Sequence, residues 1–310
     1  MVRRRWYGDG GRVRSGFAAR ARSAPPLRCS VVLASIPSPD RGTLGPFHMY
    51  GVLLAIGVFV GVGIAERRWR RRGYGVPGIA DIVFWVVVAG VIGARLYHVI
   101  TDYQRFDHDP LRAFQIWKGG LSIWGAVIGG AIAVVVVTRR RHMPTLVVMD
   151  CMAPGILAAQ AIGRWGNWFN QELFGKPTTL PWGLEIAPLH RPLGYERYAT
   201  FHPTFLYESL YCLAVVGILL LTERKLVLKQ GQTFAGYVIL YTFGRFWFEN
   251  LRIDPAHDIG PLRVNAWVSI ALFGFGAWWF RWLGRREPAQ RRPTTVGPAS
   301  ETAPGIGQEK

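Results

Sequence analysis

Seven stretches of this chain are apolar almost without interruption. Short connectors rich in charge, or in glycine and proline, separate them. The apolar runs cover about residues 47–65, 79–101, 119–138, 146–169, 203–221, 234–250 and 264–283. A bilayer core asks for roughly 20 mostly apolar residues per helix, so the pattern predicts an all-α polytopic membrane protein of seven transmembrane helices. The fourth and fifth runs hold proline or polar interruptions, which leaves their ends less sharply defined.

The connectors predict an orientation. Those after runs one, three, five and seven carry sixteen Lys and Arg residues, whereas 102–118, 170–202 and 251–263 carry eight. By the positive-inside bias the C-terminus is cytoplasmic and the start of the first span faces out. The expected organisation is a basic extension over 1–46, a seven-span membrane domain over 47–283 and a disordered Gly/Pro/Thr-rich cytoplasmic tail over 284–310. The outer connector at about 170–202, rich in Pro, Gly and aromatics, is expected to form a small external head. The extension sits awkwardly with this topology, because residues 1–41 hold nine arginines that would have to be translocated. It shows no signal-peptide apolar region, and "PLRC" is no lipid-attachment box. The expectation is a disordered tail or an over-extended gene start, with translation beginning near Val31 or Val32 and residues 1–30 dispensable.

Composition narrows the class. Half of the 310 residues are hydrophobic, 13 are tryptophan, and the formal net charge is +18. A soluble nucleic-acid binder of this charge would place Lys and Arg on amphipathic faces, but here they lie between apolar runs. Cys29, Cys151 and Cys212 have no CxxC spacing, and the seven histidines include no HExxH, so neither a disulfide framework, a metal nor a cofactor is expected. No internal repeat of the kind found in inverted-repeat transporters is visible.

Charged groups inside spans are costly and usually functional. Arg164 and Arg245 each lie five residues from the outer end of their run, about 7–8 Å below the boundary at ~1.5 Å per residue. Arg95, Tyr50, Ser122 and Trp124 fall at a similar depth on three further runs. Arg245 has an acid at i+4, Glu249. Three arginines at one depth with few acids point to a bound anion. In "GRWGNWFNQELFG", 163–175, the residues Arg164, Asn167, Gln171 and Glu172 share one helical face if the helix persists. Gly163, Gly166 and Gly175 allow close approach or end the helix.

That stretch resembles the signature of bacterial prolipoprotein diacylglyceryl transferases, G-R-x-G-N-F-x-N-x-E-x-x-G, departing at Trp168 where Phe is usual. The likeness extends in order to "HMYG" at 48–51, "GARLYHV" at 93–99, "WKGGLSIWGA" at 117–126, "HPTFLYE" at 202–208 and "GRFWFENLR" at 244–252. The resemblance implies an enzyme of the bacterial cytoplasmic membrane that moves a diacylglyceryl group from phosphatidylglycerol to the lipobox cysteine of preprolipoproteins. Its site would open toward the outer leaflet. Expected partners are those two substrates and membrane lipid, around a monomer and without nucleic acid. By match, Arg164 is expected to bind phosphatidylglycerol and Arg245 to be the second essential arginine, with Gly175 and, by depth, Arg95 beside them. Tyr50, Asn167, Glu172 and Glu249 match further functional positions. The base is open: Trp124 stands where many relatives have histidine, leaving His202 and Glu172, with His98 more remote. An intramembrane-arginine anion transporter is the rival reading, and a non-enzymatic scaffold a second.

Overall fold

The computed structural model describes residues 35–286 apart from 40–41, 46, 106–108, 116–118, 255 and 257. Seven long helices occupy the seven apolar runs: α1 (Met49–Arg71), α2 (Ile79–Thr101), α3 (Ile123–Arg140), α4 (Thr145–Asn170), α5 (Thr204–Lys225), α6 (Gln232–Leu251) and α7 (Val264–Arg285). The helices α1 to α5 are long and apolar enough to cross a membrane. α6 and α7 have the length, 20 and 22 residues, but are richer in aromatic side chains. Lys or Arg fills the last turn of α1, α3, α5 and α7, where cations complement the partial negative charge of a helix C-terminus. None does so in α2, α4 or α6.

α4 is the central element, packed against α1, α3, α5 and α6. It crosses α1 through small residues. A Cβ on Gly61 would stand 2.8 Å from the Gly155 carbonyl oxygen, and one on Gly57 2.9 Å from that of Ala159. α2 and α3 meet in the same way at Gly93, Gly125 and Gly129. Between helices in lipid, such backbone proximity is the main source of dispersion contact. Gly61→Val should therefore force α1 off α4 and cost about 1–3 kcal/mol or more. The check is thermal unfolding in detergent. Gly63→Val, where a Cβ meets open space, is the control and should unfold at the wild-type temperature.

Among the described residues, one end of the bundle carries all the strand structure. β1 (Thr43–Leu44) and β2 (Phe47–His48) form a hairpin before α1, and β5 (Asp258–Ile259) and β6 (Leu262–Arg263) form another before α7. Between α4 and α5, β3 (Leu184–Glu185) and β4 (Thr200–Phe201) pair antiparallel. Phe174, Leu184, Ile186, Phe201 and Phe205 form a separate small core there, with Ile36 and Trp168 against it. This small core, the head, falls on the connector at 170–202 and takes in residues on the N-terminal side of the boundary at 46. Ile36 lies parallel to Leu184, its N–H donating to Gly183 O at 2.9 Å while Glu185 N–H donates back to Ile36 O at 2.9 Å. Trp168 Nε1 and Gln171 Nε2 donate to the carbonyls of Pro37 and Pro39. Residues 1–34 and 287–310 lie outside the described residues.

The opposite end is sealed by caps and ion pairs. Asp150 of α4 is 2 % exposed and accepts from Gly231 N at 2.6 Å and Phe234 N at 2.9 Å, capping α6 from a neighbouring helix. Asp81 accepts from Gly78 N at the start of its own helix. Glu223 takes Arg68, Arg72 and the Thr233 hydroxyl together.

Candidate active site

Three helices bring the charged residues into one chain of ion pairs. Arg164 Nη2 of α4 lies 2.8 Å from Glu208 Oε2 of α5, and Arg245 Nη1 of α6 lies 3.5 Å from the same oxygen. The other end of the Arg245 fork, Nη2, reaches Glu249 Oε2 at 2.6 Å. Glu249, fully buried, also takes Arg263 at 3.3 Å, Arg252 at 3.7 Å and the Asn265 amide at 3.2 Å. Asp254 closes the chain by accepting both Nε and Nη2 of Arg252. Within this network stand Arg164, Arg245, Arg252 and Arg263 against Glu208, Glu249 and Asp254, an excess of one positive charge.

Buried ion pairs add little net stability, because desolvation offsets their attraction. Their consequence here is geometric, since Glu208 holds the two guanidinium groups side by side. Nη1 of Arg245 is buried and has no hydrogen-bond partner among the described residues. An orphan guanidinium N–H inside a cluster with positive excess is a place for an anionic oxygen. Both arginine side chains keep 19 % of their surface exposed, although Arg245 Nη1 itself is buried.

The signature stretch supports this cluster, though not as one continuous helix. α4 ends at Asn170, and Gln171 and Leu173 adopt left-handed backbone, φ 51° and 59°. Arg164 and Asn167 therefore share a helix face, while Gln171 and Glu172 leave it. Glu172 folds back instead, its Oε1 accepting from Asn167 Nδ2 and Asn170 Nδ2 at 3.0 Å each. Gln171 turns into the head and accepts from Ala187 N at 2.8 Å. Tyr50, on the first turn of α1, packs its ring over Gly166, where a Cβ would come within 2.5 Å of Cδ2. Gly175 is the seam between head and bundle. Its N–H donates to His202 O at 3.0 Å, and a Cβ would stand 2.9 Å from His202 Cβ and 3.1 Å from Leu251 Cγ.

Arg95 is placed elsewhere. Its helix packs chiefly on α3, and its guanidinium donates to the carbonyls of Ala113 (2.7 Å), Gly119 (2.7 Å), Gly120 (2.9 Å) and Arg112 (2.5 Å). It ties down the connector between α2 and α3. His98 rests against Gly120 beside it, and Ser122 N donates to Ala94 O at the start of α3. The His202 ring, in the head, has Nδ1 3.2 Å from the Tyr207 hydroxyl, which also accepts from Trp182 Nε1. Burial pushes this imidazole below its ordinary value of 6.5, so it is neutral at pH 7.

Sequence reasoning passed over Glu208, Asp254, Arg252, Arg263, Asn265 and Tyr241, whose hydroxyl lies beside the Arg164 guanidinium. Glu208 was the most visible of these, an acid at the end of "HPTFLYE" inside an apolar run.

The model of the family described as prolipoprotein diacylglyceryl transferase matches residues 43–282, which include every residue of the ion-pair chain. The chain belongs to that family. It is 47 % identical over 283 residues to phosphatidylglycerol–prolipoprotein diacylglyceryl transferase 1 of Streptomyces coelicolor, covering 88 % of this chain and 80 % of the relative. It is 50 % identical over 247 residues to the enzyme so named from Cutibacterium acnes, covering 77 % and 83 %. A Streptomyces griseus relative of the same name is 49 % identical over 249 residues, covering 78 % and 75 %. Membership makes this chain a transferase of lipoprotein biosynthesis.

Proposed function

We propose that this member of the family transfers the diacylglyceryl group of phosphatidylglycerol to the lipobox cysteine of a preprolipoprotein, with the phosphodiester held between Arg164 and Arg245. The observation that carries this is the Glu208 bridge, which sets two guanidinium groups side by side, leaves Arg245 Nη1 ion-paired but without a hydrogen bond and gives the cluster a single surplus positive charge. A phosphodiester offers one negative charge and oxygens spaced for planar, bidentate donors.

The thiol sulfur attacks the glyceryl carbon that bears the phosphate oxygen. A C–S thioether bond forms, the C–O bond breaks, and glycerol 1-phosphate departs with the electron pair. A free thiol of pKa ~8.5 is only a few per cent thiolate at neutral pH. The arginines assist twice, stabilising the thiolate and the charge growing on the departing phosphate. For the proton we favour Glu172, which Asn167 links to the Arg164 face of α4, over His202, whose ring is bonded to Tyr207 within the head. Glu172→Gln should slow transfer at least tenfold. His202→Gln should retain at least a third of the rate. If His202 were the base, the rate would fall as pH drops through its lowered value, and His202→Gln would abolish that acid limb. A rate–pH profile of the two variants decides.

Seven spans, a cytoplasmic C-terminus and a site opening toward the outer leaflet complete the reading. Basic last turns on alternate helices support the orientation. On it the head lies outside, at the level where a lipobox cysteine leaves the bilayer and a phospholipid headgroup sits. Both substrates arrive by lateral diffusion to a monomer, and no divalent metal is required. The transporter reading loses ground at the far end of the bundle, where Asp81 and Asp150 are committed to helix capping. The test is reconstitution with phosphatidylglycerol and a lipobox peptide, followed by mass analysis. The expected product is a peptide carrying diacylglycerol in thioether linkage, with one glycerol 1-phosphate per adduct. Unmodified peptide, or a hydrolysable thioester, would overturn the assignment.

A further inference from the structure

α4 and α6 carry a second polar level away from the head. Gln160 precedes Arg164 by four residues, and Tyr237 precedes Tyr241 by four and Arg245 by eight. Gln160 therefore sits one turn, about 6 Å, beyond Arg164 on the same face, and Tyr237 continues the α6 face that carries Arg245. Gln160 Nε2 donates to the Tyr237 hydroxyl at 3.3 Å, beyond the usual N–H···O range, and Oε1 is buried with no hydrogen-bond partner.

The pair does not satisfy itself. As placed, a second amide N–H and the phenolic O–H remain to be given. With the amide turned over, the phenol donates to Oε1 and both amide N–H groups are left. Turned over, the amide sets an N–H donor at the position now held by the partnerless Oε1, where no acceptor among the described residues meets it. Burying polar groups in an apolar helix without partners is costly. Glue between two helices would be expected to bond more tightly and completely.

A lipid whose phosphate sits at Arg164 and Arg245 directs its chains toward the bilayer midplane. Its acyl-ester carbonyls, pure acceptors, follow the phosphate by only a few bonds, about a helical turn deeper. We propose that Gln160 and Tyr237 form an ester subsite that donates hydrogen bonds to an acyl-ester carbonyl of the substrate lipid. The enzyme would then distinguish diacyl from dialkyl glycerophospholipids. This subsite rests on the transferase reading above.

The test uses the full-length protein in vesicles with a lipobox peptide and either diester phosphatidylglycerol or its diether analogue. One neutral hydrogen bond corresponds to about a three- to tenfold preference for the diester in kcat/KM. Gln160→Leu and Tyr237→Phe should each abolish that preference by slowing the diester alone, with the diether rate unchanged. An equal fall on both lipids would make the pair a packing element and overturn the subsite. So would an unchanged diester rate, or a wild type that does not discriminate. Absence of transfer by the wild type from either lipid would overturn the transferase reading, and the subsite with it.

Discussion

Arg164→Lys lowers the transfer rate at least tenfold, and Arg245→Lys brings it toward a hundredfold loss, although both proteins insert normally. Lysine keeps the charge but loses the planar fork that grips two oxygens. Charge-assisted hydrogen bonds are worth roughly 1.5–3 kcal/mol each, and 1.36 kcal/mol is a decade in rate. The larger effect is expected at Arg245 because its two terminal nitrogens serve different carboxylates, Nη1 facing Glu208 and Nη2 ion-paired with Glu249. An ammonium cannot span both. Steady-state kinetics with purified variants in phosphatidylglycerol vesicles supply the check. Near-wild-type turnover in both would mean that the arginines provide bulk positive charge only.

Glu208→Gln should separate kcat from KM in a way that a loss of packing would not. Glu208 is 4 % exposed, and its Oε2 is shared by both arginines. Neutralising it raises the surplus of the cluster from one positive charge to two. Removing one partner of a buried pair costs about 3–5 kcal/mol, so the free protein should unfold at lower temperature. An anionic lipid supplies the missing charge, and phosphatidylglycerol should restore stability to Glu208→Gln far more than zwitterionic phosphatidylcholine does. The same surplus should lower KM while slowing release of the departing phosphate, so that kcat falls about a hundredfold. A rise in KM instead, or equal rescue by the two lipids, would remove Glu208 from its role as counterion and aligner.

The contrast between Arg95 and Glu208 shows what the sequence could and could not display. Runs of apolar residues announce helices because lipid imposes length and composition together, and all seven appear where those runs lie. Position along a helix also fixes depth, which is why Arg164 and Arg245 could be paired from sequence. Depth is one coordinate, and rotation about the axis is another. Arg95 shares the level, but α2 packs chiefly on α3 and its guanidinium goes to the carbonyls of residues 112, 113, 119 and 120. Glu208 was in plain view, yet only the packing of α5 against both α4 and α6 assigns it to two arginines. The head was legible as a long connector rich in Pro, Gly and aromatics but not as a structure. Its strands are two residues long, and one edge is supplied by Ile36, some 150 positions away in the chain from Leu184. No local pattern encodes such a pairing.

The most direct test of the arginine clamp is a structure of the protein in phosphatidylglycerol nanodiscs, read for the position of the lipid phosphate. The account predicts phosphate oxygens within about 3 Å of guanidinium nitrogens of both Arg164 and Arg245, with the glyceryl carbon beside them open to an incoming sulfur. A bound lipid whose phosphate lies away from both arginines, with Glu208 still bridging them unchanged, would contradict it.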